Sequence, residues 1–409
     1  MKKLLILGAG QYQVPIIEQA KAMGLYTIVV SPHGDYPGLK TADKVYYLDV
    51  RDERSILEVA KKEEIAGVTT DQTDIAVRTV AFVAAEMNLP GIGYDCAKLF
   101  TDKYLMRKMT RRLGLPTIEY RMVHDINDAR DFFVSLEGNA IIKPVDNQGS
   151  RGVFLIHSEE ELEADFAEAQ QFSASGQVII ERHITGREFE VDSILVDHDE
   201  KTLMYADTDL FDIPNVFASR TRLYPSVADT ETIHRLLDLN HKIITGFGLK
   251  QGLTHSEYIM DEKSGEIYLI EAAARGGGSY ISSHIGRLQT GLNTSEFLVD
   301  LATGEIDKIP EFETARCHCG YVTFFLPEGV VADTASIEDV ARLPYVYKHT
   351  LDDIKVGMKT ESFSDKSARY VVIAQAQTRE MLDKRIDEIR NILQIKVKTD
   401  DGIKGPVWK

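Results

Sequence analysis

Two glutamates in the stretch THSEYIMDEKSGEIYLIEAAARGGG, Glu257 and Glu271, stand where a β-hairpin would set them face to face, and Arg275 follows the second. SEYIM and IYLIE are rich in Tyr, Ile and Leu, and DEKSG between them carries the Gly, Ser and Asp of a turn. A register that pairs Met260 with Tyr268 also pairs Glu257 with Glu271. Like charges opposite one another across two strands, with Cβ atoms about 5 Å apart, repel unless a cation lies between them. A hard divalent cation relieves the repulsion. Mg2+ suits the donors, because it is commonly held by one or two carboxylates with nucleotide phosphates completing its octahedron. A solvated hairpin with two exposed glutamates is the plain alternative. It fits less well, since alternation puts Ile259, Ile267 and Leu269 on the glutamate face and Tyr258, Tyr268 and Ile270 on the other, apolar on both sides.

IIKPVDNQGSRG places Lys143 on a strand and follows it with a loop containing Gly149, Ser150 and Gly152. Such loops wrap phosphates: glycines let backbone amides approach the oxygens, a hydroxyl adds a donor and a lysine adds a point charge. No GKS or GKT follows, so this is not a Walker loop. VIIERHITGREFEVD sets Glu181 at a strand end and Glu188 just after a turn at Gly186. A strand edge with apolar walls such as Ile180 and Ile184 can read a purine through backbone groups, and a carboxylate can accept two ribose hydroxyls. GAGQYQ near the start has Gln13 where a dinucleotide fingerprint needs its third glycine, and the second strand ends in Ser31 and Pro32 rather than an acid, so a nicotinamide site is disfavoured. In TTDQTD, Asp71 and Asp74 either face a second substrate or cap the next helix, with capping the expectation for Asp74.

The elements that must position these groups follow from the apolar pattern. KLLILGAG, VPIIEQAKAMG and YTIVVSP open as strand, helix and strand, and the alternation continues through VYYLDV, RSILEVAKKEE, AGVTT and DIAVRTVAFVAAEMN, which predicts a parallel sheet with helices on its faces. A basic helix, KYLMRKMTRR, ends at Gly114 and Pro116. A compact α+β unit then runs from NDARDFFVSL to QVIIERHI, strands and a long helix return up to Leu301, and a tail from Pro310 of antiparallel strands with one helix reads as a third domain resting on the second. At 409 residues the chain divides into two or three domains, and its net charge of −17 argues against a general nucleic-acid or anionic membrane surface. Three cysteines, Cys96, Cys317 and Cys319, are too few for a disulfide framework, and no run approaches the roughly 20 apolar residues of a membrane span, so a cytoplasmic location is expected.

Taken together, these motifs in this order resemble the ATP-grasp superfamily, over roughly the first three quarters of the chain, while the tail looks like the C-terminal domain of its carboxylase and purine-ligase branches. The resemblance implies a fold of mixed α/β and α+β class: an N-terminal parallel, Rossmann-like domain over residues 1–95, an ATP-grasp domain over 96–309 with a mobile lid subdomain at about 117–185, and a C-terminal α+β domain over 310–409. It implies that Lys103 and Lys143 grip ATP phosphates under the Gly149, Ser150 and Gly152 loop. Glu181 and Ile184 would present backbone groups to adenine, and Glu188 would take the ribose. Glu257 and Glu271 would bind one or two Mg2+ ions, with Mn2+ an acceptable substitute, and Arg275 would steady the transferred phosphoryl group. One departure stands out, because the superfamily usually has asparagine two residues after the second glutamate and this chain has Ala273.

The reaction implied is attack of a carboxylate on the γ-phosphoryl of ATP, giving an acyl phosphate and ADP, followed by an amine that expels phosphate. Arg275, Ser279, His284 and Arg287 in ARGGGSYISSHIGR, with Arg220 and Arg222 in ASRTRLYPS, offer donors for the acyl substrate, and arginine forks favour an amino acid or similar small acid. Phosphoribosylglycinamide synthetase-like, carbamoyl phosphate synthetase-like and bicarbonate-activating readings are the enzymatic alternatives. A nucleotide-binding protein without turnover is the alternative that Ala273 motivates. Superfamily members are often dimers, so a homodimer is compatible with the resemblance.

Overall fold

The computed structural model describes residues 1–136, 138–147, 149–361 and 368–409; Gln148 of the predicted glycine loop lies outside the described residues. The N-terminal apolar runs become the strands Lys3–Leu7, Tyr26–Ser31, Lys44–Tyr47 and Gly67–Thr69, all parallel, with Lys3–Leu7 between Tyr26–Ser31 and Gly67–Thr69. Both faces are covered, which is why the runs are continuous rather than alternating. Leu4, Ile6 and Val29 pack with Ile16, Ile17 and the helix Thr294–Thr303, while Leu5, Leu7, Ile28 and Val30 pack with Ile56, Ala60 and Val83.

A second four-stranded sheet, in the order Tyr120–Val123, Val178–Arg182, Ala140–Pro144, Phe154–Ile156, is entirely antiparallel and carries the helices Ile126–Ser135 and Glu159–Gln171. Asp125 and Ser158 cap those helices through their side chains, so both starts are fixed locally.

The central sheet has eight antiparallel strands ordered Ile267–Ala273, Gly252–Asp261, Gly186–Val196, Asp199–Leu210, Ser219–Tyr224, His318–Phe324, Tyr370–Ala376 and Val346–His349. The last three belong to the tail. It therefore does not rest on the second domain as a separate layer. His318–Phe324 hydrogen-bonds to Ser219–Tyr224 and extends the same sheet, and a smaller sheet with Gly329–Asp333 at its centre lies beyond it.

The hairpin differs from expectation at one point. Glu257 does pair with Glu271, but the register shifts immediately afterwards, so Tyr258 meets Leu269, Ile259 meets Tyr268, and Met260 meets Ile267 rather than Tyr268. A bulge that leaves Ile270 as the extra residue accounts for the shift. It also re-sorts the faces. Tyr258, Ile267 and Leu269 pack under the helix Thr230–Gly246, whereas Ile259, Tyr268 and Ile270 gather with Ile118 and Ile184 on the glutamate side. Gly186 starts the neighbouring strand where a Cβ would stand 1.9 Å from the carbonyl oxygen of Met260, so only glycine fits there.

Candidate nucleotide and metal site

Register places the charged side chains of the central sheet in one field. Glu257 is opposite Glu271 on one side and Glu190 on the other, Ile259 is opposite Glu188, and His255 lies between Ala273 and Asp192. Because alternate residues share a face, Glu188, Glu190, Glu257 and Glu271 all project to the same side of the sheet. The second four-stranded sheet faces that side, and one cavity is lined by Lys103, Lys143, Glu181, Glu188, Glu257 and Glu271. Gly149 and Ser150 form part of its rim, and Ile118, Ile184, Ile259 and Ile270 make an apolar wall.

Lys103 opens the helix Lys103–Arg112, whose N-cap Asp102 accepts from Leu105 N. The buried residues of this helix are Lys103, Met106, Arg107 and Thr110, a helical stripe, so part of its basic sequence faces inward rather than water. Lys103 Nζ donates to Glu271 Oε1 at 2.7 Å and to the Asn147 carbonyl at 2.8 Å. Burial opposes its charge, but Glu271 and then Asp74 outweigh that and raise its pKa. Lys143 Nζ lies 2.7 Å from Glu181 Oε2, and Arg107 Nε lies 2.9 Å from Glu181 Oε1. Burial works against the Glu181 carboxylate, yet the charges of Arg107 and Lys143 hold its pKa below the ordinary value. For Lys143 burial prevails and lowers the pKa despite Glu181. Arg107 also donates to the Ile270 carbonyl at 2.7 Å, which ties this helix to the Glu257–Glu271 hairpin.

The carboxylate pair suits a hard cation by donor type and by charge. Each member already sits against a positive group, Glu271 against Lys103 and Glu257 against Arg222. Two buried-edge oxygen donors that each recruit a cation are the arrangement a divalent ion would satisfy.

Residues 136–283 match the family model described as an ATP-grasp domain. This chain carries an ATP-grasp domain. Residues 1–90, ahead of it, match the ribonucleotide synthetase preATP-grasp domain. The chain is 25% identical over 348 residues to alanine–anticapsin ligase of Bacillus subtilis, covering 76% of this chain and 73% of that protein. It is 25% identical over 191 residues to the formate-dependent phosphoribosylglycinamide formyltransferase of Methanocaldococcus jannaschii, covering 44% of this chain and 48% of the relative. The chain thus spans about half the length, or less, of the first curated relatives it matches. Among solved structures, the L-amino acid ligase from Bacillus licheniformis superposes with a TM-score of 0.82 at 21% identity, covering 98% of this chain and 99% of that one, a likeness of fold.

Within the ATP-grasp framework several predicted residues fall elsewhere. Arg275 forms a bidentate pair with Asp74, Nε to Oδ1 at 2.9 Å and Nη2 to Oδ2 at 2.7 Å. Asp74 is therefore not the expected helix cap; the helix Val77–Glu86 begins at Ala76 without a side-chain cap. Nearby Asp71 is fully enclosed, accepts from the backbone of Gln72 and Gly276, and is pushed by burial up to about 6.

The run after Arg275 does not converge on the cavity. Ser279 and Tyr280 take left-handed conformations and lead into a π-helical turn, Ile281–Ile285, which folds the His284 ring to 4.8 Å from that of Tyr280. Burial, followed by the charges of Lys348 and Arg287, pushes His284 down to about 4. Arg287 lines a separate surface groove with Asn293 and Arg316. Arg220 lies 3.7 Å from Asp209, whereas Arg222, two residues on, does reach the cavity. Gly152 adopts φ +73 beside Phe172 in the lid, where the glycine loop turns back.

Two arginines were missed. Arg107 could have been found from its one-turn spacing to Lys103 on the basic helix. Arg78 lines a second cleft between the N-terminal sheet and the lid, together with Asp49, Arg51, Asp74 and Arg151, and nothing in its local sequence singles it out. The second cleft shares Lys103, Asn147, Arg151 and Glu271 with the first, so the two meet at Lys103 and Glu271.

Proposed function

We infer that this protein is an ATP-dependent ligase that activates a small carboxylate with Mg-ATP and joins it to an amine. The observation that carries the reading is the meeting of Lys103, Lys143, Glu257 and Glu271 in one cavity with an isoleucine wall, opening onto a second cleft at Glu271. Adenine would lie against Ile118, Ile184 and Ile259, ribose near Glu188, and phosphates toward the lysines and the Gly149–Ser150 backbone. The Glu257–Glu271 pair would form the edge of the Mg2+ site, the ion supplying charge neutralisation at the phosphates when bound, and Mn2+ would substitute. Lys143, held by Glu181, and Lys103 would orient the phosphates, and the lid would exclude water that would hydrolyse an acyl phosphate.

The second cleft supports an amino-acid substrate over a phosphorylated sugar. Two of its arginines lie beside acids: Arg51 pairs with Asp49, and Arg78 donates to Thr101 and lies 4.0 Å from Asp102. A zwitterion finds both signs there, whereas a phosphate monoester would call for surplus positive charge. Phosphate release measured with ATP across pairs of amino acids, with ribosyl amines and with bicarbonate, tests the proposal. Stimulation by amino-acid pairs is expected. Stimulation by a ribosyl amine or bicarbonate alone would replace the substrate class, and a slow ATPase indifferent to every candidate would replace ligation by nucleotide binding without turnover.

A further inference from the structure

The two facing glutamates hold cations of very different permanence. Arg222 is buried and anchored on several sides: Nη1 lies 2.5 Å from Glu190 Oε2 and 3.0 Å from His255 Nε2, Nε donates to Thr208 Oγ1 at 3.2 Å, and Nη2 donates to Glu257 Oε1. Glu190 itself is wholly buried and receives the Tyr224 hydroxyl as well. Among the described residues Lys103 Nζ, by contrast, donates to Glu271 and one backbone carbonyl, on a flexible four-carbon stem.

Behind Arg222, Glu190, Asp192 and His255 each bring a ligand atom within 4.8 Å of the others, all buried, which is the composition of a metal site. The guanidinium abuts two of the three, so the demand for positive charge there is already met by the chain itself. Ala273, the register partner of His255, adds no ligand atom on the other side.

The geometry points to one divalent cation, not two, in the nucleotide-bound protein: the ion is held through Glu271, and Arg222 stays on Glu257 as a built-in second positive charge. This rests on the Mg-nucleotide reading above. An ion that took Glu257 for itself would have to strip a buried guanidinium of one of its carboxylates, and a planar fork fixed at several points does not swing away. Lys103 can release Glu271 and turn its ammonium to a phosphate oxygen, so Glu271 is the carboxylate that changes partner. Arg222 lines the cavity and remains there as a fixed positive charge.

The test counts Mn2+ bound per chain by electron paramagnetic resonance, with the full chain saturated by a non-hydrolysable ATP analogue. One Mn2+ per bound nucleotide is expected in the unsubstituted protein, one in Arg222→Lys, and two in Arg222→Gln. Two ions in the unsubstituted protein would overturn the inference and leave the nucleotide reading standing. No Mn2+ and no nucleotide taken up would remove both. A count still at one in an Arg222→Gln protein that melts cooperatively would overturn the role given to Arg222, and should that variant fail to fold, the count in the unsubstituted protein decides alone.

Discussion

The guanidinium of Arg275 meets both carboxylate oxygens of Asp74, at 2.9 and 2.7 Å, and so joins the segment leaving the Glu271 strand to the loop that follows the N-terminal strand Gly67–Thr69. The partners are 201 residues apart in sequence, and Asp74 lines the cleft proposed for the amino-acid substrate.

Replacing Asp74 by alanine leaves a largely buried guanidinium without its bidentate partner. Stability should fall by about 1–3 kcal/mol. On the proposal that Arg275 steadies the transferred phosphoryl group, its misplacement should cost turnover more than nucleotide affinity, with kcat/KM falling about 10- to 100-fold while nucleotide Kd changes less than about threefold. Steady-state ADP release with parallel calorimetry checks this, and equal losses in both quantities would show that Asp74 acts only through stability.

Lys143→Met removes one member of a buried triad but leaves Glu181 paired with Arg107. The fold should persist, with nucleotide affinity at least about tenfold weaker, roughly 1.4 kcal/mol. Circular dichroism and a fluorescent-nucleotide titration would show it; undiminished affinity would remove Lys143 from the site.

Acid stability should depend on Glu63. Hydrogen bonds from Lys44 and then Tyr46 hold its carboxyl down from the ordinary 4.5 to about 2. A carboxyl whose folded pKa is depressed contributes fully above the unfolded value and loses that contribution as pH falls toward the folded one. Melting temperatures of the unsubstituted protein should therefore drop more steeply than those of Glu63→Gln between about pH 4.5 and pH 2, and parallel curves would contradict the assignment.

Gly186→Ala should destabilise the lid-to-sheet junction by about 1–3 kcal/mol, since the new Cβ would be driven into the Met260 carbonyl. Chemical denaturation measures it. A neutral substitution would mean that the two strands part at no cost.

Much of this site was legible because it is local. The hairpin turn, the alternation on either side and the paired glutamates read directly from DEKSG and its flanks, as did Lys143 ahead of its glycine loop. The register beyond Glu257 was not, since a bulge at Ile270 leaves no mark on a short apolar run. Asp74 looked like a helix cap because capping is a local pattern, whereas its partner Arg275 comes from the far end of the sheet. Arg220 and Arg222 were indistinguishable as residues; the register shifts between Asp209 and Leu210, which leaves Arg220 as the extra residue beside Asp209 while Arg222, paired with Thr208, lines the cavity. Ser279, His284 and Arg287 suggested a donor cluster, and the π-helical turn disperses them. The tail strands carried no sign that they would continue the central sheet, because edge pairing between distant strands is decided by packing.

The central claim is that the cavity lined by Lys103, Lys143, Glu257 and Glu271 binds a magnesium–nucleotide complex. Isothermal titration of an ATP analogue into the purified protein, with and without Mg2+, and into Glu271→Gln, tests it most directly. The account predicts binding that needs Mg2+ and weakens at least about tenfold in the variant. Binding of equal strength in all three titrations, or none in any, would contradict it.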